Sequence, residues 1–189
     1  MTTTQTTQHG VDLPAVGNYE IDASHSTVGV VARHLMVSKV RGRFADVAGT
    51  ITIAEDPTAS STDVVVGAAS IDTRDAKRDE HLRSADFLDV KRFPQLTFTS
   101  TGLAALRGNR WQLTGDLTIK GITRPVTFDV EFLGNLKDPW GNDRIAFEAK
   151  GELNREDWDI TWNVALETGG VLVGKKLAFE LEIQAVKQA

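Results

Sequence analysis

The sequence contains no cysteine. This absence excludes disulfide bonds, thiolate metal sites and a cysteine nucleophile. No apolar run approaches the roughly 18 residues of a transmembrane helix, so we expect no stable membrane insertion. Residues 1–17 have neither the basic nor the apolar segment of a secretory signal. Together these absences predict a cytoplasmic protein that folds without disulfides.

An excess of positive charge is also missing. The chain has 21 basic and 26 acidic residues, which gives a net charge of −5. We therefore expect no nucleic-acid partner. A length of 189 residues is typical of a single domain. The polar residues 1–17 are predicted to be a flexible N-terminal tail, and residues 18–189 to be one β-barrel domain.

Apolar and polar residues alternate through most of that domain. In one such run, Val126, Phe128 and Val130 alternate with Thr127 and Asp129. This period of two is typical of antiparallel strands with one buried and one wet face. Seven or eight such runs predict an all-β fold. Because the outward rows are too charged to face a second layer, we favour a closed barrel with an apolar interior over a sandwich.

Residues 78–100 depart from the strand pattern and are predicted to form a lid. The segment begins with a charged helical turn, and Leu82 and Phe87 are expected to dock it on the barrel. We expect Asp79 and Arg83 to form a solvated pair at i,i+4 on this turn.

Small residues on the inward rows have two interpretations. Gly115 and Gly151 are examples. An eight-stranded barrel is just wide enough to be filled by side chains or to hold one small ligand. The small residues could leave room for such a ligand, or relieve crowding where strands bend. The pattern alone leaves both interpretations open.

The histidines are too scattered to predict a metal site. They are His9, His25, His34 and His81, and no two have a local ligand spacing. Asp22, His25 and Ser26 lie too close on one strand to converge as a hydrolytic triad. We therefore predict no metal, no cofactor and no catalytic residue.

Four motifs, in their order along the chain, resemble the YceI-like family of polyisoprenoid-binding, lipocalin-like proteins. Their cores are Asp22-Ala23-Ser24-His25-Ser26, Arg78-Asp79-Glu80-His81-Leu82, Gly115-Asp116-Leu117-Thr118-Ile119 and Asn154-Arg155-Glu156-Asp157-Trp158. The resemblance extends over about residues 19–186. It implies an eight-stranded antiparallel barrel whose apolar cavity holds an isoprenoid chain or a similar lipid.

On this basis we predict a non-enzymatic protein that binds, stores or transports a polyprenyl chain, an isoprenoid quinone or a fatty acid. The inward rows supply the predicted cavity wall: Val28, Val30, Ala32, Ile51, Ile53, Phe98, Leu117, Phe128, Val130, Phe147 and Phe179. A polar head group is expected at a mouth formed by His25, His34, Arg78 and His81.

Two alternatives of other classes remain at this point. One is an enzyme that acts on an isoprenoid-like substrate in the same cavity. The other is an interaction protein with a filled barrel. A homodimer through the barrel mouths or edges is also left open.

Overall fold

The structure is a computed structural model that describes residues 7–8, 11–167 and 169–189. In this part of the chain one α-helix, α1, spans Ala76–Arg83, and short 3-10 helices span Ala23–His25, Pro57–Ala59, Ala68–Ser70 and Arg155–Trp158. The strands are β1 Thr7–Gln8, β2 Val11–Asp12, β3 Gly17–Ile21, β4 Thr27–His34, β5 Ser38–Phe44, β6 Val47–Ile53, β7 Ser61–Gly67, β8 Ile71–Asp72, β9 Gln95–Ala105, β10 Arg110–Ile119, β11 Ile122–Lys137, β12 Asp143–Asn154 and β13 Val173–Lys187.

Eight of these strands close into one antiparallel ring. The order around the ring is β13, β3, β6, β7, β9, β10, β11 and β12, and β12 pairs again with β13. β3 pairs with the C-terminal end of β13, and β4 pairs with the rest of the same edge. β5 forms a hairpin with β4. The predicted eight-stranded antiparallel barrel is confirmed.

The burial pattern of β11 shows how the alternating sequence produces the barrel. Phe128 is buried in the interior, whereas Thr127 and Asp129 on either side are exposed. The register with β12 shifts between Phe132 and Gly134. A bulge of this kind inserts an extra residue and bends the strand. Leu133, at the bulge, is 54% exposed although it is apolar.

The two ends of the barrel differ. One end carries α1 and residues 155–167 and 169–172, and we call it the lid end. The other carries the β9–β10 and β11–β12 turns, and we call it the turn end. Asp75 begins α1 by accepting hydrogen bonds from the backbone N–H groups of Lys77 and Arg78, both at 3.1 Å. Such a cap satisfies N–H groups that have no partner inside the helix.

The barrel domain begins earlier in the chain than residue 18. Leu13 is 7% exposed. The Asn135 side chain donates to the Leu13 carbonyl at 3.0 Å and accepts from the Ala15 N–H at 3.0 Å. These contacts fix residues 13–15 on the turn end. Residues 1–6, 9 and 10 lie outside the described residues, so their predicted flexibility stays a prediction.

Buried apolar side chains fill most of the interior. One cluster reaches from Trp158 at the lid end to Phe128 and Phe179 in the middle, and a smaller one around Tyr19 and Ile145 lies at the turn end. Within the described ranges, no helix has the length and apolarity needed to cross a membrane.

Candidate apolar ligand cavity

A cavity of about 180 Å³ lies inside the barrel. Its wall is formed by inward side chains of β6, β7 and β9 to β13, together with a few residues of β3, β4 and β5. None of the described residues around it carries a charge. The polar exceptions are Ser60, Ser61, Thr62 and Thr97. The first three lie at the turn end, where the Ser60 hydroxyl accepts from the Ala54 N–H at 3.0 Å and the Thr62 hydroxyl donates to the Thr50 carbonyl at 2.8 Å.

Most of the predicted wall residues line this cavity. They are Val28, Ile51, Ile53, Phe98, Leu117, Phe128, Val130, Phe147 and Phe179. Val30 and Ala32 do not, because the β4–β5 hairpin continues past the cavity toward the lid end. There Val30 packs against other core side chains, and Ala32 lies between Leu177 and Val40 on the neighbouring strands. Contact between any wall residue and a ligand stays a prediction.

Part of the cavity wall lies outside the predicted set of residues. Val64, Val66, Leu181 and Ile183 line the cavity and follow the same alternating pattern as the predicted residues, so the pattern was sufficient to find them. Thr62 belongs to the same row, two residues before Val64 on β7. Ser60 follows no such pattern and reaches the cavity because the β6–β7 connection brings it to the turn end.

The two inward glycines are covered by phenylalanine rings. A Cβ atom at Gly115 would lie 2.4 Å from Cζ of Phe98, and one at Gly151 would lie 2.7 Å from Cδ1 of Phe128. Real Cβ atoms essentially never approach other atoms this closely. The glycines therefore give room to the rings, which settles the question that the sequence left open for these two positions.

These rings form a row of aromatic contacts across the barrel. The centroids of Phe98 and Phe128 are 5.6 Å apart and the rings are nearly perpendicular. The centroids of Phe128 and Phe179 are 6.4 Å apart with the same edge-to-face geometry. Edge-to-face pairs contribute about 0.5–1.5 kcal/mol beyond the apolar area that they bury. All three rings line the cavity.

The predicted head-group residues do not gather around a cavity mouth. His34 ends β4 and pairs with Val173 and Ser38. Arg78 donates to the Thr73 hydroxyl at 2.7 Å and to the Thr73 carbonyl at 2.9 Å. None of the four lines the cavity. Contact of these four residues with a head group therefore stays a prediction, and the cavity described here does not support it.

The remaining two histidines each face a carboxylate. Nδ1 of His25 lies 2.8 Å from Asp22, on the outer side of the β3–β4 break. Nε2 of His81 lies 2.8 Å from Asp86, and its ring packs edge-on against Phe87 and Trp162 with centroids 5.0 and 4.7 Å apart. His81 therefore belongs to the packing of the lid.

The lid is tied down by side-chain hydrogen bonds. Asp79 is 6% exposed and accepts from the Thr73 N–H at 2.9 Å and from the Thr73 hydroxyl at 2.6 Å. Arg83 donates to the carbonyls of Ala69 and Ile71 at 2.7 and 2.8 Å. The predicted solvated pair of Asp79 with Arg83 is wrong. Both side chains instead satisfy backbone groups in the chain that leads into α1.

No catalytic triad forms around Asp22. The Ser26 hydroxyl donates to the Gln184 carbonyl, whereas Ser24 is the serine that reaches Nδ1 of His25, at 2.9 Å. Asp22 contacts the same ring nitrogen. In a triad the carboxylate and the serine instead contact opposite nitrogens of the histidine ring, so these residues do not form one.

Asp22 is held by a charged network at the surface of the barrel. Arg144 donates to Asp22 at 2.6 Å and to Asp138 at 2.9 Å. Hydrogen bonds from Ser24, Arg144 and His25 hold the pKa of Asp22 well below its ordinary range. Asn142 and Arg144 do the same to the pKa of Asp138. The network links the β3–β4 break to the β11–β12 turn.

The described residues contain no group of three or more His, Cys, Asp or Glu side chains that could hold a metal ion. The fold and the cavity together define the class of this protein: a closed antiparallel β-barrel with an apolar internal cavity.

Residues 19–185 match the model of the YceI-like domain family, and the chain belongs to that family. It is 43% identical to the protein YceI of Salmonella newport (strain SL254) over 146 residues, which is 76% of each chain. Its structure is similar to Burkholderia cenocepacia BcnA, with a TM-score of 0.76 and 22% identity over 87% of this chain and 98% of that one.

A further similar structure is the polyisoprenoid binding domain from Saccharophagus degradans. The TM-score is 0.65 and the identity is 14%, over 90% of this chain and 98% of that one. At these sequence identities, the similarity to the Burkholderia and Saccharophagus structures shows a shared fold and nothing more.

Proposed function

We propose that this protein binds a long isoprenoid-type lipid in the barrel cavity and stores or carries it without chemical change. The observation that carries the proposal is a cavity whose wall is apolar apart from four hydroxyl side chains. Burial of a lipid chain there contributes about 0.8 kcal/mol per methylene. Membership of the YceI-like family and the likeness to a polyisoprenoid binding domain support the same ligand class.

The cavity volume sets a requirement on the ligand. At about 180 Å³ it is smaller than the pockets of roughly 300–1,000 Å³ that hold most ligands. A long chain therefore needs the rings of Phe98 and Phe128 to rotate. Giving up their two edge-to-face contacts costs about 1–3 kcal/mol. About two to four buried methylenes offset that cost, so long chains should bind and very short ones should not.

The cavity wall also favours an uncharged head group. The polar residues of the wall at the turn end are Ser60, Ser61 and Thr62, which are uncharged, and no Lys or Arg is among the described residues that line the cavity. A buried phosphate without a cationic partner would be strongly unfavourable. We therefore propose a quinone or alcohol head at the turn end rather than a phosphate.

The wall offers no group suited to acid–base chemistry. General acids and bases are side chains such as His, Glu, Asp or Lys placed within hydrogen-bond reach of the reacting atom. The polar side chains that line the cavity carry only hydroxyl groups. No His, Glu, Asp or Lys is among the described residues of the wall. Binding without catalysis is the function that this geometry supports best.

The proposal is tested by measuring binding of a long-chain polyprenyl alcohol to the purified protein. Phe128→Trp adds volume to the cavity wall and should weaken binding by tenfold or more. Phe93→Trp makes the same change in the lid, at a half-buried residue outside the cavity wall, and should bind as the wild type does. Equal binding by all three proteins would overturn the proposed site. A pyrophosphate of equal chain length binding more tightly would overturn the uncharged head group.

A further inference from the structure

The turn between β4 and β5 exposes three consecutive large apolar residues at the lid end. Leu35 is 44%, Met36 62% and Val37 77% exposed. Val164, on the neighbouring segment of the lid end, is 46% exposed. The Leu35 N–H donates to the Leu172 carbonyl at 2.9 Å, which attaches the turn to that segment. Contiguous exposed apolar residues in a soluble fold commonly mark an interaction surface.

The backbone of this turn is poorly matched to its sequence. Leu35 has a φ of 52° and Met36 a φ of 62°. Hairpin turns with two left-handed residues strongly prefer Asn and Gly at these positions. Local violations of such rules tend to occur at functional sites, because another role selects the residue. Here the role must favour large apolar side chains in an exposed turn.

The hairpin also carries charge of one sign only. Residues 27–45 contain Arg33, Lys39, Arg41 and Arg43 but no acidic residue, in a chain whose net charge is −5. Arg33 lies directly opposite Lys39 across the two strands, a like-charge arrangement that is unfavourable by itself. Of these four residues, Arg43 alone has an acidic partner within 4 Å in the part of the chain that the structure describes, Asp72 at 3.7 Å.

A second exposed apolar patch lies at the turn end, and its charges distinguish it. There Leu133, Leu136 and Trp140 are 54%, 49% and 82% exposed. Acidic residues flank this patch, and Asp138 and Asp143 are both paired with basic side chains. The turn-end patch is therefore close to neutral, whereas the hairpin combines an apolar tip with unneutralised positive charge.

We propose that the β4–β5 hairpin docks on the surface of an anionic lipid bilayer. Leu35, Met36 and Val37 would enter the interfacial region, while Lys39 and Arg41 behind them contact the headgroup phosphates. An apolar face backed by basic residues is the pattern that binds to such surfaces without spanning them. The inference uses residues separate from the cavity wall and goes beyond the proposed function, so each can fail without the other.

Charge is tested by flotation of the full chain with vesicles of phosphatidylcholine, alone or mixed with phosphatidylglycerol. We expect binding to the mixed vesicles only, and less of it at high salt because exposed charges are then screened. Lys39→Ser with Arg41→Ser should weaken binding about 25-fold, since each basic residue near an anionic surface contributes about fivefold. Arg107→Ser with Arg110→Ser removes the same charge at the turn end and should bind as the wild type does.

Apolar insertion is tested by Leu35→Asn with Met36→Gly. These residues suit the left-handed turn, so the melting temperature should be unchanged or higher, while vesicle binding should fall by about tenfold or more. Leu136→Ser with Trp140→Ser is the matched control at the turn end and should retain binding. If the Leu35→Asn, Met36→Gly variant loses vesicle binding but keeps its melting temperature, unfolding cannot explain the loss.

Three results would overturn the proposal: no binding to either kind of vesicle, equal binding by the hairpin variants, or a hairpin that mediates only self-association or capture of another protein. Extraction and mass spectrometry of cavity lipid from the same preparations reports separately on the proposed function.

Discussion

Replacing Gly115 with alanine tests whether Phe98 occupies the inner face of the barrel as described. The new Cβ would lie 2.4 and 2.5 Å from two ring atoms of Phe98 and 2.5 Å from the Thr99 carbonyl oxygen. The ring can rotate at the expense of its contact with Phe128, but the backbone oxygen cannot move without disturbing the β9–β10 ladder. Overpacking of this kind costs about 1–3 kcal/mol, and we expect the upper part of that range.

A smaller effect acts in the opposite direction. Alanine restricts the unfolded chain more than glycine does, which stabilises by about 0.4–1 kcal/mol where the fold accepts the side chain. The net expectation for Gly115→Ala is a loss of about 2 kcal/mol. In a chain of this size that loss lowers Tm by about 4–8 °C. Urea unfolding gives the free energy, and calorimetry gives Tm.

Gly102→Ala is the matched control on the neighbouring strand. No atom would lie within 4 Å of its Cβ, so it should be neutral or stabilise by up to about 1 kcal/mol. In addition, Phe98→Leu should reduce the cost of Gly115→Ala by about 1 kcal/mol in a double-mutant cycle. Equal stabilities of the Gly115→Ala and Gly102→Ala variants, with no coupling to Phe98, would refute this description of the cavity wall.

Two further predictions concern the surface network and the lid. Hydrogen bonds from Ser24 and Arg144 hold the folded-state pKa of Asp22 below its ordinary value of 3.8. These interactions therefore stabilise the fold at neutral pH, and their contribution is lost as pH falls below about 4. Arg144→Met should lower the free energy of unfolding near neutral pH and weaken its dependence on acid, and urea titrations with an unchanged acid dependence would contradict this. Asp79→Ala leaves the buried Thr73 donors without their acceptor and should cost about 3 kcal/mol. Glu80→Ala, exposed on the same helix, should change stability by less than about 0.5 kcal/mol, and similar unfolding midpoints for both variants would argue against the buried role of Asp79.

The alternating rows were sufficient to predict the barrel and much of its cavity wall. Phe128 and Val130 line the cavity because inward and outward positions alternate along β11 up to the bulge at Phe132–Gly134. The same rule fails for Val30 and Ala32. They lie on an inward row, but their strand continues past the end of the cavity. Periodicity identifies the face on which a residue lies and carries no information about its height along the barrel.

The polar parts of the site could not be predicted from local patterns. Asp79 looks like a surface residue of a charged helical turn, and it is buried because Thr73 meets it through the path of the preceding chain. Ser60 reaches the cavity through the geometry of the β6–β7 connection. Contacts of this kind depend on register and on loop paths, which short sequence patterns do not encode.

The central claim, that the apolar cavity holds an isoprenoid-type lipid, is tested most directly by incubating the protein with a mixture of polyprenyl alcohols and isoprenoid quinones of different chain lengths. After gel filtration, the protein fraction is extracted with organic solvent and analysed by mass spectrometry. We predict about one long-chain molecule per protein chain, with the shortest chains absent and much less lipid in Phe128→Trp. An empty extract, together with a melting temperature that these lipids do not raise, would contradict the claim.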